Sequence, residues 1–169
     1  MQIRLAETAG FCFGVERAVA LAGQTARTCK NAVTLGPIIH NRHVVERFEA
    51  LGLREISAAG EAEPGQTVVI RAHGIPVSEQ KTLAARGAAA VDATCPFVKK
   101  IHVIAQKAEQ SGRSLLIIGT PTHPEVAAIA SYSSDAHVFQ TADALEIWLT
   151  ECPERRDLPF CLVSQTTGT

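Results

Sequence analysis

Two cysteines stand at matching places in this chain. In Gly10-Phe11-Cys12-Phe13-Gly14-Val15 a glycine-flanked thiol precedes a helical pattern, and in Val91-Asp92-Ala93-Thr94-Cys95-Pro96-Phe97 a strand-like run stops at a thiol where proline starts a helix. Proline suits the first helical position because the N–H it lacks would have no intrahelical partner there. A helix N-terminus favours the thiolate, the form that binds metal. Three histidines lie in comparable loops: His40 in Gly36-Pro37-Ile38-Ile39-His40-Asn41, His73 in Arg71-Ala72-His73-Gly74, and His123 just before Pro124-Glu125. Each alone reads as a structural residue, but three at equivalent strand ends read as a site. Imidazoles beside helix starts, with free backbone N–H groups and the positive end of the helix dipole, suit a phosphate. A bound diphosphate would in turn favour the imidazolium. Glu125 is a candidate proton donor or relay, and Gln165-Thr166-Thr167 offers an amide and two hydroxyls to orient a small polar substrate.

The spacing of the thiols bears on the metal. Zinc sites favour close pairs such as Cys-x2-Cys, which are absent here, whereas single cysteines from separate units suit an iron–sulfur cluster held at a junction. A zinc site built from Cys12, Cys95 and a histidine stays open at this point, as does a metal-free anion pocket. Cys29, Cys152 and Cys161 lie in a helix end, a loop and a strand, and read as small hydrophobes. His43, His102 and His137 lack such loops and read as surface or core residues.

The elements that must position these residues alternate along the chain. Strands are expected at Ile3–Ala6, Ala32–Leu35, Thr67–Ile70, Ala90–Asp92, Ser114–Ile118, His137–Phe139 and Phe160–Val163. Helices are expected from Gly14 to near Thr28, from Asn41 to Gly52, over Ser78–Arg86 and Pro96–Ser111, from Glu125 to about Ala130, and over Ala142–Leu149. This alternation implies parallel sheets with helices on both faces, an α/β fold. Such sheets bind ligands beyond the carboxyl ends of their strands, which is where Cys12, His40, His73, Cys95, His123 and Gln165-Thr166-Thr167 fall. The two halves resemble each other loosely, with a boundary near Cys95: residues 1–95 form one small α/β/α unit and 96–169 a second.

Composition excludes several classes of function. With 16 Lys+Arg against 17 Asp+Glu the formal charge is −1, so no basic field argues for nucleic acid. A hydrophobic content of 46% is enough to bury a core. No apolar run is long enough to span a bilayer and the first residues carry no signal-peptide core, so no membrane association and a cytoplasmic location are expected.

The stretches Gly10–Val15, Thr34–Asn41, Arg71–Gly74, Asp92–Pro96, His123–Val126 and Ser164–Thr167, in this order, resemble the 4-hydroxy-3-methylbut-2-enyl diphosphate reductase family of the methylerythritol phosphate route to isoprenoids. The resemblance implies an oxidoreductase that dehydroxylates an allylic diphosphate to isopentenyl and dimethylallyl diphosphate. It implies an oxygen-sensitive 4Fe-4S cluster with three cysteine ligands, and an external electron donor such as ferredoxin or flavodoxin. By the same resemblance, Cys12 and Cys95 match the first two cluster ligands. His40, His73 and His123 match the histidines around the diphosphate, Glu125 the acid linked to proton delivery, and Thr166 the threonine near the substrate hydroxyl. Gln165 and Thr167 would be neighbours of the substrate.

Members of that family have about twice this length, in three similar units around the cluster. The third cysteine, and the serine and asparagine expected at the diphosphate, would lie beyond Thr169. Alone, the chain is expected to hold its cluster poorly and to show little activity. The alternatives are a non-catalytic α/β fragment that binds an anion, and the zinc-binding domain.

Overall fold

The β-branched run Thr67-Val68-Val69-Ile70 forms a strand in the interior of a sheet, and its alternate side chains enter two different cores. Val69 packs with Ala18, Ala22, Ile38, Phe48 and Ala93 on one face, whereas Val68 and Ile70 pack with Val33, Leu35, Ile56, Ile75 and Leu83 on the other. A strand covered on both faces has no polar side to alternate with, which is why the run is continuous. The computed structural model describes residues 2–7 and 9–167. Its first sheet contains β1 (Ala32–Leu35), β2 (Arg54–Ile56), β3 (Thr67–Ile70) and β4 (Ala89–Asp92), in the order β2-β1-β3-β4. Its second contains β5 (Ser114–Ile118), β6 (Ala136–Phe139) and β7 (Phe160–Ser164), in the order β6-β5-β7. All pairings are parallel.

Six α-helices connect the strands among the described residues: α1 (Phe13–Thr28), α2 (Arg42–Ala50), α3 (Val77–Ala85), α4 (Pro96–Gln110), α5 (Pro124–Ala130) and α6 (Ala142–Glu151). Around the second sheet, Ala105 and Ala108 of α4 and Val126 and Ile129 of α5 close on Leu115, Ile117 and Val163. No helix among the described residues is long and apolar enough to cross a membrane.

Two expectations need correction. Ile3–Ala6 forms no strand, and Ile3 and Leu5 are 81% and 85% exposed. A single strand has no ladder to satisfy its backbone groups, and no neighbouring strand pairs with this segment. Conversely, Arg54–Ile56 forms an edge strand that hydrophobic patterning does not reveal, because only Ile56 of its three residues is buried. Charge on a short edge strand is a normal guard against pairing with other chains.

Candidate active site

Both sheets have a reversal of strand order, and both reversals point at the same place. The chain leaves β1 for β2 on one side and returns to β3 on the other, so a crevice opens between the carboxyl ends of β1 and β3. His40 follows β1 and His73 follows β3. In the second sheet the reversal lies between β5 and β7, followed by His123 and by Gln165-Thr166 respectively. The three imidazoles meet: ring centroids are 4.7 Å apart for His40 and His73, 5.3 Å for His73 and His123, and 6.0 Å for His40 and His123. One nitrogen of each lies within 4.8 Å of the others.

Local chemistry explains each placement. Asn41, not His40, caps α2 by accepting from the Val44 N–H at 3.2 Å, which leaves the His40 ring free. His73 sits in a turn closed by the Gly74 N–H donating to the Arg71 carbonyl at 3.0 Å. Gly74 has φ +76, a conformation that favours glycine. The Arg71 guanidinium reaches back to the Gly74 carbonyl at 3.2 Å. His123 caps α5: its Nδ1 accepts from the Glu125 N–H at 3.2 Å. The proton of its neutral ring is therefore on Nε2.

Burial, then the neighbouring His40, His123 and Arg71, push the His73 imidazole down to about 4. Its Nδ1 is buried with no hydrogen-bond partner. At neutral pH the His73 ring is therefore uncharged, and it stands in a cluster of imidazoles beside the Arg71 guanidinium, poor in acceptors and ready for an anion. An anion would reverse the penalty on His73 protonation.

Glu125 is 1% exposed in the first turn of α5. Its carboxylate accepts the Thr166 N–H at 2.6 Å and the Thr166 hydroxyl at 2.9 Å. Gln165 is committed elsewhere: its carbonyl oxygen accepts the Thr120 N–H at 3.0 Å and its amide donates to the Thr167 hydroxyl at 2.7 Å. Gln165 and Thr167 thus brace the loop after β5, and their polar groups face each other.

The thiols stand at helix starts. Cys12 is the N-cap of α1 and Cys95 the N-cap of α4, and neither side chain caps its own helix. A Cβ on Gly14 would lie 2.5 Å from the Cys95 sulfur, so that sulfur occupies space a glycine leaves in the first turn after Cys12. The Cys95 N–H donates to the Ala72 carbonyl at 2.9 Å, tying the second thiol to the turn that carries His73. Cys29 and Cys161 pack against the core clusters, and the Cys152 thiol donates to Glu154 at 3.2 Å. Among the described residues, the set of metal-ligating side chains that gathers is imidazole only. Among the described residues, the ligand groups whose atoms lie within 4.8 Å of one another do not include Cys12 and Cys95 with a histidine, the set expected for the zinc alternative.

His102, read from the sequence as a surface or core residue, lies in the core beside the site. It is buried on α4, stacks on Tyr132 with centroids 4.7 Å apart, and presses on the His73 turn: a Cβ on Gly74 would meet its Cε1 at 2.7 Å. Its helical spacing from Val98 and Ala105, both buried, was the available signal.

The family described as LytB protein matches residues 3–169. The chain belongs to this family. The 4-hydroxy-3-methylbut-2-enyl diphosphate reductases of Solidesulfovibrio magneticus and of Nitratidesulfovibrio vulgaris strain Miyazaki F are each 43% identical to it, over 99% of this chain and 59% of the relative. A solved structure of (E)-4-hydroxy-3-methyl-but-2-enyl diphosphate reductase superposes with a TM-score of 0.80 at 36% identity, over 99% of this chain and 59% of that one. The reductase structure from Plasmodium falciparum gives 0.81 at 25% identity, over 95% and 50%. This LytB chain therefore spans about 59% of the length of the curated relatives it matches. The α/β class and the parallel sheets agree with these neighbours.

Proposed function

We propose that this LytB chain is the part of a 4-hydroxy-3-methylbut-2-enyl diphosphate reductase that grips the diphosphate and delivers protons, with residues 1–95 and 96–169 as two of three pseudo-symmetric units. The observation that carries this is the meeting of three imidazoles from two sheets beside two thiol-bearing helix starts. Reductive removal of the allylic hydroxyl consumes two electrons and two protons and releases water, leaving isopentenyl or dimethylallyl diphosphate.

Cys12 and Cys95 would hold two corners of a 4Fe-4S cluster. Their donor type fits it: soft single thiols at helix starts, one of them seated against Gly14. Bound there, the cluster supplies electrons and a Lewis-acidic iron, drawing on an external carrier such as ferredoxin or flavodoxin. The chain's own residues bind and orient. His40, His73 and His123 donate to the diphosphate oxygens, and its charge favours a proton on His73. The Thr166 hydroxyl, spent as a donor on Glu125, keeps its oxygen free to accept from the substrate hydroxyl. When Glu125 takes up a proton this bond reverses: Glu125 donates to the Thr166 oxygen, and the Thr166 hydroxyl proton passes to the leaving hydroxyl, so that water and not hydroxide departs.

Anaerobic purification with iron and sulfide analysis, paramagnetic resonance after reduction, and calorimetry with inorganic pyrophosphate test this reading. Iron and sulfide lost in Cys95→Ser but kept in Glu125→Gln, with pyrophosphate binding in both, is the expected result. Pyrophosphate binding by a chain that never takes up iron would favour the non-catalytic anion-binding module. No pyrophosphate binding would overturn both.

A further inference from the structure

Two thiols on different helices can serve one cluster only if something sets the distance between the helices. α1 packs on the first sheet, with Ala18 and Ala22 in its core, and α4 packs on the second through Ala105 and Ala108. Their starts must nevertheless be held together. Neither thiol makes a capping hydrogen bond that could fix it.

Besides the Cys95 sulfur seated against Gly14, one side chain crosses the gap by hydrogen bonds. Arg17, five residues after Cys12 on α1, donates from one guanidinium nitrogen to the Thr94 carbonyl at 3.1 Å and from the other to the Asp92 carbonyl at 3.3 Å. Thr94 is the residue immediately before Cys95. A planar guanidinium holds two acceptors in a fixed fork, which an ammonium cannot do. The acceptors are themselves fixed. The Asp92 carboxylate accepts the Thr94 N–H at 2.9 Å and is held from the other side by Lys99 at 2.6 Å. The turn between β4 and α4 is therefore rigid before Arg17 reaches it, and Arg17 ties the α1 start to that rigid turn.

We infer that Arg17 is a positioning residue for the metal centre: it sets the separation of Cys12 and Cys95 by strapping α1 to the Asp92–Cys95 turn. The inference rests on the proposed cluster reading only for what the spacing serves. Partners of metal ligands typically change metal affinity by about 10- to 100-fold when removed.

The test compares the parent chain with Arg17→Ala, Arg17→Lys and, as a control on the same helix, Arg27→Ala. Two readouts are used. The first is iron and sulfide retained after anaerobic reconstitution, with the paramagnetic resonance line shape after reduction. The second, on the apo chain, is the yield of the Cys12–Cys95 cross-link formed by a short bis-maleimide, identified by peptide mass spectrometry. In Arg17→Ala, iron retention falls by about 10-fold or more and the cross-link yield drops, while far-UV circular dichroism matches the parent. Arg17→Lys lies between and changes the line shape, and Arg27→Ala behaves as the parent. Parent-like retention and cross-linking in Arg17→Ala overturn the inference. Should Arg17→Ala lose its fold, Arg17→Lys decides, and parent-like values there overturn it. Should no chain, the parent included, take up iron, the cluster reading fails while the cross-link still decides the role of Arg17.

Discussion

Glu125 and Thr166 are 41 residues apart in sequence, and the carboxylate of one receives both the amide and the hydroxyl of the other, at 2.6 and 2.9 Å. This pair joins the first turn of α5 to the end of β7. Hydrogen bonds to a charged acceptor contribute about 1.5–3 kcal/mol each. Thr166→Val removes one donor, and Glu125→Gln removes the charge and turns the oxygen facing the Thr166 hydroxyl into a donor, which reverses that bond. In a urea-unfolding double-mutant cycle the two substitutions should show a coupling of about 1–2 kcal/mol. Additive losses would mean that the two residues do not share one interaction.

His73 should take up a proton when the imidazole cluster binds an anion. The free His73 ring titrates at about 4 because it is buried among His40, His123 and Arg71. An anion raises that value, so binding takes up a proton wherever the pH lies between the free and bound values, and affinity rises as pH falls through that range. Calorimetry of inorganic pyrophosphate at pH 6 in buffers of differing ionisation enthalpy should detect the uptake. His73→Asn should reduce both the uptake and the affinity, the latter by about 10-fold. An uptake equal in parent and variant, after allowance for the ligand's own titration, would place the proton elsewhere.

Gly14→Ala should disturb the site more than the fold. Alanine is the better helix former by about 1 kcal/mol, and Gly14 lies inside α1. Its new Cβ, however, would lie 2.5 Å from the Cys95 sulfur. Overpacking typically costs about 1–3 kcal/mol. The variant should keep its helix content, lose at most about 2 kcal/mol on urea unfolding, and show a changed rate of Cys95 alkylation by iodoacetamide together with weaker iron loading. Parent-like alkylation would show that the sulfur does not rest on Gly14.

His102 should make the chain acid-sensitive. Burial first, and Lys99 of the same helix after it, lower its folded value to about 4 from 6.5, with Asp92 of β4 opposing the shift and the neutral Tyr132 stacked on its face. A base whose folded value is depressed is protonated more readily in the unfolded chain. Stability is therefore intact above about pH 6.5 and declines as pH falls toward about 4. The slope is up to about 1 kcal/mol per pH unit from this one group, after allowance for solvent screening. His102→Gln should flatten the dependence of urea midpoints between pH 7 and pH 5, whatever it does to the midpoint at pH 7. Identical slopes would remove His102 from the account.

Much of the fold was legible because its strands are short, buried and bounded by turn residues. β1, β3 and β5 begin and end where the apolar runs of the sequence do. Each is covered on both faces, so hydrophobicity alone marks it. Arg54–Ile56 escaped because an edge strand shows charge, and Ile3–Ala6 misled because an apolar run becomes a strand only beside another strand. The turn signals around Cys12, His40, His73, Cys95 and His123 were equally legible, since proline, glycine and asparagine act on their immediate neighbours.

Residue types, local periodicity and turn chemistry determined by themselves that this is an α/β chain with thiols and imidazoles at element ends, because those properties depend on neighbours in sequence. Only the tertiary structure decided that the three imidazoles meet while Gln165 is spent on the Thr120 loop. It also decided that Arg17 spans 77 residues to the Thr94 carbonyl and that His102 lies under the His73 turn. Those relationships follow from how two sheets pack and where strand order reverses, and a side chain's partner across such a junction leaves no periodic trace in the chain that carries it.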